Sequence, residues 1–100
     1  MSKTSRLPGF YKLSLEERAA VVADWAGLTA NEKNVLMGQG LTPAQADHMI
    51  ENVVGTHALP LGVAVNFLIN GRDYLIPMAI EEPSVVAGAS FAARLAREGG

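Results

Sequence analysis

The chain has 100 residues, of which 49% are apolar and only 18% charged against roughly 25% in an ordinary soluble domain; so small a chain cannot bury that much apolar surface, and part of it is expected to meet more polypeptide or a second subunit. A net charge of −2, with basic residues scattered from Lys3 to Arg97 in no stripe, argues against nucleic acid as a partner. The absence of cysteine excludes disulfides within these residues, and with no apolar run near the roughly 20 residues of a membrane helix and no apolar stretch at the start, no membrane partner and no secretory leader are expected and the cytoplasm is the expected compartment.

Residues 1–12 carry no periodicity, and Pro8-Gly9 marks a turn. Three helix starts follow: Ser14 with Glu17, Thr29 with Glu32 and Thr42 with Gln45. Each pair has capping-box spacing, in which the hydroxyl accepts from a free backbone N–H and the longer side chain reaches back. The first helix is predicted to run to Ala26, burying Leu15, Ala19, Val22, Trp25 and Ala26, with Gly27 as its stop. The second is predicted near 30–37, ending in Gly38-Gln39-Gly40, and the third from Pro43 to Ile50 or beyond.

The second half reads as a hairpin over about 62–78, because Asn70-Gly71 between two apolar runs is a strong two-residue turn signal. Such a turn pairs Phe67 with Tyr74, Val65 with Ile76 and Val63 with Met78, with all six side chains on one face. Pro77 cannot donate to a ladder and belongs at a strand end or edge. A last helix is predicted over about 83–97, with Pro83 at its first position and small residues at 87–90 and 92–93 that allow close approach. The fold class is therefore α+β: three short helices, a hairpin and a C-terminal helix.

Glu81-Glu82-Pro83-Ser84, between the last strand and the last helix, is the leading candidate for chemistry. Repulsion between adjacent acids and burial favour a protonated carboxyl suited to general acid work, whereas a helix N-terminus favours the ionised form. The sequence leaves that balance open, and acids that only complement a helix dipole fit the same spacing. Glu51 and Asn52 interrupt an apolar run and read as a buried polar pair, suited to a structural network or subunit contact. His48 and His57 lack helical ligand spacing, so no metal site is expected. No G-x-G-x-x-G and no Walker lysine are present.

Taken together, Ser5-Arg6-Leu7-Pro8-Gly9-Phe10, Met49-Ile50-Glu51-Asn52-Val53-Val54-Gly55-Thr56, Leu59-Pro60-Leu61-Gly62-Val63-Ala64, Asn66-Phe67, Ile69-Asn70-Gly71-Arg72-Asp73-Tyr74 and Pro77-Met78-Ala79-Ile80-Glu81-Glu82-Pro83-Ser84-Val85-Val86-Ala87 resemble the soluble, class II hydroxymethylglutaryl-coenzyme A reductases. The resemblance covers nearly the whole chain and is weakest over 16–46. Val54 stands where isoleucine is usual and Gly88 where alanine is common.

The resemblance implies an oxidoreductase interconverting hydroxymethylglutaryl-coenzyme A with mevalonate and coenzyme A, using NADH or NADPH, as a homodimer or higher oligomer. It implies a catalytic role for Glu82, which polarises or protonates the carbonyl oxygen, and places Ser84 beside the acyl group. Glu51 and Asn52 fall to the substrate half of the site and dimer packing, and Lys12 occupies the region that places a basic side chain near the coenzyme A phosphate. The family's lysine, aspartate and histidine from later in the chain are not in this sequence, nor is its nucleotide-binding domain. The 100 residues are thus expected to be the N-terminal segment of a larger substrate domain, inactive alone. The alternative reading is a small non-catalytic oligomeric interaction module.

Overall fold

A computed structural model of the chain describes residues 3–38 and 40–99. They fall into two compact units, one of residues 9–58 and one in which residues 3–8 join residues 59–99. Gln39, within the predicted end of the second helix, lies outside the described residues.

In the first unit a short 3-10 helix, Phe10–Lys12, precedes α1 (Leu15–Ala26), α2 (Ala30–Leu36) and α3 (Pro43–Asp47). All three capping boxes form, on Ser14 and Glu17, Thr29 and Glu32, and Thr42 and Gln45. Gly27 ends α1 in the left-handed conformation (φ 69°), and the Leu28 N–H reaches back to the Ala23 carbonyl at 2.8 Å, closing the helix as the glycine predicted. The buried residues of α1 are Ala19 and Ala23, with Val22 and Trp25 half-buried, whereas Leu15 and Ala26 are exposed. The inward stripe is therefore narrower than predicted, and small enough for α2 to pack against α1.

The third helix is shorter than its sequence suggests. It ends at Asp47, and the chain passes through a turn at His48 and Met49 and a bend over 50–52 into an irregular stretch before the sheet. Apolar residues without a periodic polar partner face do not hold a helix, and Met49, Ile50 and Val54 are all exposed. With Val35, Leu36 and Met37 also exposed, the surplus of apolar surface anticipated from composition is present.

In the second unit β1 (Leu61–Ile69) and β2 (Arg72–Ala79) form a two-stranded antiparallel sheet, and α4 (Val85–Gly99) packs on β1. Asn70 (φ 51°) and Gly71 (φ 77°) both take positive φ, as the two-residue hairpin turn demands. Phe67 faces Tyr74 as predicted, but the next pairs are Ala64 with Ile76, Val63 with Pro77 and Gly62 with Met78. The predicted pairing of Val65 with Ile76 and Val63 with Met78 is thus wrong by one residue, because a β-bulge lies between Ala64 and Phe67. Asn66 sits in it at φ 73°. Beyond the bulge the alternation inverts, so Gly62 and Ala64 share the face of Phe67, Tyr74, Ile76 and Met78.

Those small residues admit α4. Ala64 is fully buried, and a Cβ on Gly62 would stand 3.2 Å from Val86. The inward side of α4 carries Val86, Ala89, Ser90, Ala93 and Arg97, a helical stripe of mostly small residues; Gly88, Phe91, Ala92 and Leu95 point away, exposed.

Residues 3–8 are fastened to this layer by Ser5, which is fully buried. Its carbonyl accepts from the Asn66 N–H at 2.8 Å, and its N–H donates to Asp73 Oδ1 at 2.8 Å. The hydroxyl lies 2.8 Å from both Asp73 Oδ1 and the Phe67 carbonyl, with one hydrogen to share between them. Arg97 Nη1 completes the cluster, donating to Ser5 Oγ (3.1 Å), the Asn66 carbonyl (3.0 Å) and Asp73 Oδ1 (3.2 Å). The Ser5 backbone N–H, then its hydroxyl, and then Arg97 hold the Asp73 carboxyl below the usual aspartate range, against the opposing pull of burial. Arg97 Nε is buried without a partner among the described residues.

Candidate functional site

The leading candidate lies where β2 gives way to α4. Ile80 is tied back by its N–H to the Pro60 carbonyl at 3.2 Å, after which Glu81 and Glu82 form a bend and Pro83 and Ser84 a turn. The helix starts two residues later than predicted, at Val85 rather than Pro83. Ser84 explains the delay: at φ 73° it is left-handed, so Pro83 cannot belong to the helix, although the Ser84 carbonyl accepts the first helical bond from Gly88 at 2.8 Å. Non-glycine residues in that conformation cost on the order of 1–2 kcal/mol and persist only where surrounding structure holds them.

The turn has an anchor on each side, the Ile80 bond and the packing of Val86 over Gly62. Between them Glu81, Glu82 and Ser84 are exposed. No side chain among the described residues bonds to the Glu82 carboxylate, so it stands free to meet another molecule or another stretch of polypeptide.

Lys12, Glu51 and Asn52 belong to the unit of residues 9–58. Lys12 ends the 3-10 helix, exposed, with Nζ 5.7 Å from the centre of the Tyr11 ring. Glu51 and Asn52 are not the buried polar pair that their sequence context suggests. Both are exposed in the bend after α3, with Asn52 at φ 58°, because α3 has ended and no element covers the segment. Among the described residues no three His, Asp or Glu side chains group so as to hold a metal ion, and no helix is long and apolar enough to cross a membrane.

Residues 14–100 match the family model described as hydroxymethylglutaryl-coenzyme A reductase. The chain belongs to that family. It is similar to the 3-hydroxy-3-methylglutaryl-coenzyme A reductase of Archaeoglobus fulgidus, with 66% identity over 97% of this chain and 22% of that protein. Its fold is similar to the reductase from Streptococcus pneumoniae (TM-score 0.80, 39% identity), covering 93% of this chain and 23% of that one. A second structure of the class II reductase from Streptococcus pneumoniae, bound to NADPH in open conformations, matches equally well, with 26% of that chain covered. The chain therefore spans about a quarter or less of the reductases it matches, as an α+β segment.

The cluster of Ser5, Asp73 and Arg97 escaped the sequence reading. Its bonds join positions 68 and 92 apart, and no periodicity or short motif carries information at that range.

Proposed function

We propose that this chain supplies the proton-handling carboxyl and part of the thioester pocket of a hydroxymethylglutaryl-coenzyme A reductase, with Glu82 as the catalytic acid. One observation carries the proposal: Glu82 is exposed, without a hydrogen-bond partner among the described residues, on a turn whose next residue but one, Ser84, holds a strained backbone. Strain of that kind gathers at functional turns. In this reading Glu82 donates to the carbonyl oxygen of the thioester, and later of the aldehyde, as each is reduced, and Ser84 lies against the acyl group. Glu51 and Asn52 contribute to the substrate side and to packing between subunits of a homodimer or higher oligomer, and Lys12 to the coenzyme A phosphate.

Reduction draws on NADH or NADPH, and the residues present do not fit a dinucleotide. The positive-φ glycines Gly9, Gly27, Gly38 and Gly71 stand singly, at helix ends and a hairpin turn, and form no glycine-rich phosphate loop. Hydride delivery is accordingly assigned to polypeptide outside these residues, namely the nucleotide-binding domain and the rest of the catalytic domain. The 100 residues alone are proposed to be inactive, and the complete enzyme to work in the cytoplasm.

The test is Glu82→Gln in the full-length polypeptide. Thioester-dependent oxidation of NADH or NADPH disappears while the circular dichroism spectrum is unchanged; turnover at the parent rate would refute the role. The exposed apolar side chains also suit a small oligomeric interaction module. That reading requires the 100 residues to melt cooperatively as a compact oligomer, whereas a reductase segment binds dyes that report exposed apolar surface.

A further inference from the structure

We infer that Asn66, far from the acid in sequence, is a positioning residue for the turn that carries Glu82, acting through the register of β1; the inference rests on the proposed role of Glu82. Without the bulge, the residue opposite Met78 is Val63, and with it that residue is Gly62. The site opposite Met78 is where the first turn of α4 touches down, since Val86 lies against Gly62 so closely that even a Cβ there would stand 3.2 Å from a Val86 methyl. A valine side chain cannot enter that space unless the start of α4 lifts. Val86 follows Ser84 by two positions and Glu82 by four, so only the turn residues Pro83 and Ser84 and the first helical residue Val85 separate the acid from the contact.

Asn66 holds the register by its backbone and its amide together. Asparagine tolerates the left-handed φ of 73° better than a branched residue would. Its Nδ2 donates to the Ser90 carbonyl at 3.2 Å, while Ser90 Oγ accepts from the Val65 N–H at 3.0 Å, so both bulge residues are latched to the middle of α4. The Asn66 N–H and carbonyl are taken by Ser5 and Arg97. The backbone N–H, the carbonyl and the side-chain Nδ2 of the residue are thus all committed to one placement of the helix over the strand.

The experiment compares Asn66→Gly with Asn66→Val in the full-length reductase. Glycine keeps the left-handed backbone, so its kcat should stay within about threefold of the parent. Valine disfavours the bulge, and kcat should fall roughly 10- to 100-fold, the scale on which ångström displacements act, with KM for the thioester within about twofold. A merely structural role would give both variants the same loss, or move KM and kcat together with the thermal midpoint. Should Asn66→Val not fold, Gly62→Val decides: it fills the same space with the bulge intact, should lower kcat alike, and should recover on adding Val86→Ala.

Parent-like kcat in folded Asn66→Val, equal losses in the glycine and valine variants, or no recovery with Val86→Ala overturns the inference. Undiminished turnover in Glu82→Gln would instead remove the reading beneath it, so the two failures are distinguishable.

Discussion

Replacing Asp73 with alanine tests whether the buried cluster is what closes the unit formed by residues 3–8 and 59–99. The substitution removes the acceptor of three bonds, from the Ser5 N–H, the Ser5 hydroxyl and Arg97 Nη1. It also leaves the Arg97 guanidinium, whose side chain is only 8% exposed, without its carboxylate. Breaking a buried pair by removing one partner costs about 3–5 kcal/mol. Two features lower that figure: the Asp73 side chain is 20% exposed and admits water, and Arg97 keeps Ser5 Oγ and the Asn66 carbonyl as acceptors. A loss of about 2–3 kcal/mol follows, which corresponds to a roughly 30- to 150-fold larger equilibrium population of the open state at about 1.4 kcal/mol per tenfold. Native-state hydrogen exchange of the Asn66 amide, bonded to the Ser5 carbonyl, reads that opening directly. Exchange within about threefold of the parent in Asp73→Ala would refute the reasoning. The double replacement Asp73→Leu with Arg97→Met should recover most of the protection, since apolar substitutes of similar volume avoid the stranded charge.

Acid should act on the same contact. The Asp73 carboxyl is held below its ordinary value in the folded chain, so its contribution is fully present above about pH 4 and is lost as pH falls through the lower folded value; protection of the Asn66 amide should track that loss. The Glu17 carboxyl is lowered by the Ser14 backbone N–H and then its hydroxyl, so α1 should fray at its start as pH falls through the lowered value, seen as loss of helical circular dichroism that Glu17→Gln makes independent of pH. Gly71→Ala forces a side chain onto φ 77° at the hairpin turn and should cost about 1 kcal/mol, measured as a lower urea midpoint, with an unchanged midpoint counting against the turn assignment. Ser84→Gly should leave the thermal midpoint of the full-length protein level or raised, because glycine relieves the left-handed strain, and on the proposed place of Ser84 against the acyl group KM for the thioester should rise.

The parts of this structure that sequence predicted well are those written in neighbouring residues. A capping box needs partners three positions apart, and Asn70-Gly71 contains the whole of its turn, so these features are fixed before any tertiary contact forms. The bulge differs. Left-handed Asn66 follows from partners at Ser5, Ser90 and Arg97, and the alternation of Val63, Val65 and Phe67 pointed convincingly to the wrong face. The start of α4 failed for a related reason, since Pro83 suits a first helical turn and only the Ser84 backbone shows that the helix has not begun. At the candidate site, Glu82 and Ser84 are legible as a motif and share one turn, whereas Glu51 and Asn52 read as buried because they interrupt an apolar run, and that run, with Met49, Ile50 and Val54, is itself exposed.

The fastening of Ser5 also sets an order of events during synthesis. Residues 9–58 lie in sequence between the two stretches of the other unit and have all their own caps, so they are free to fold as soon as they emerge. Ser5 must wait, because Arg97 is translated 92 residues after it, an interval of roughly 5–20 s at ribosomal speeds of about 5–20 residues per second. The bonds of Ser5 to Asn66, Phe67 and Asp73 can form earlier, but the cluster is complete only when Arg97 arrives. Codon choices or amino-terminal fusions that prolong the wait should lower the yield of native protein without altering its final stability.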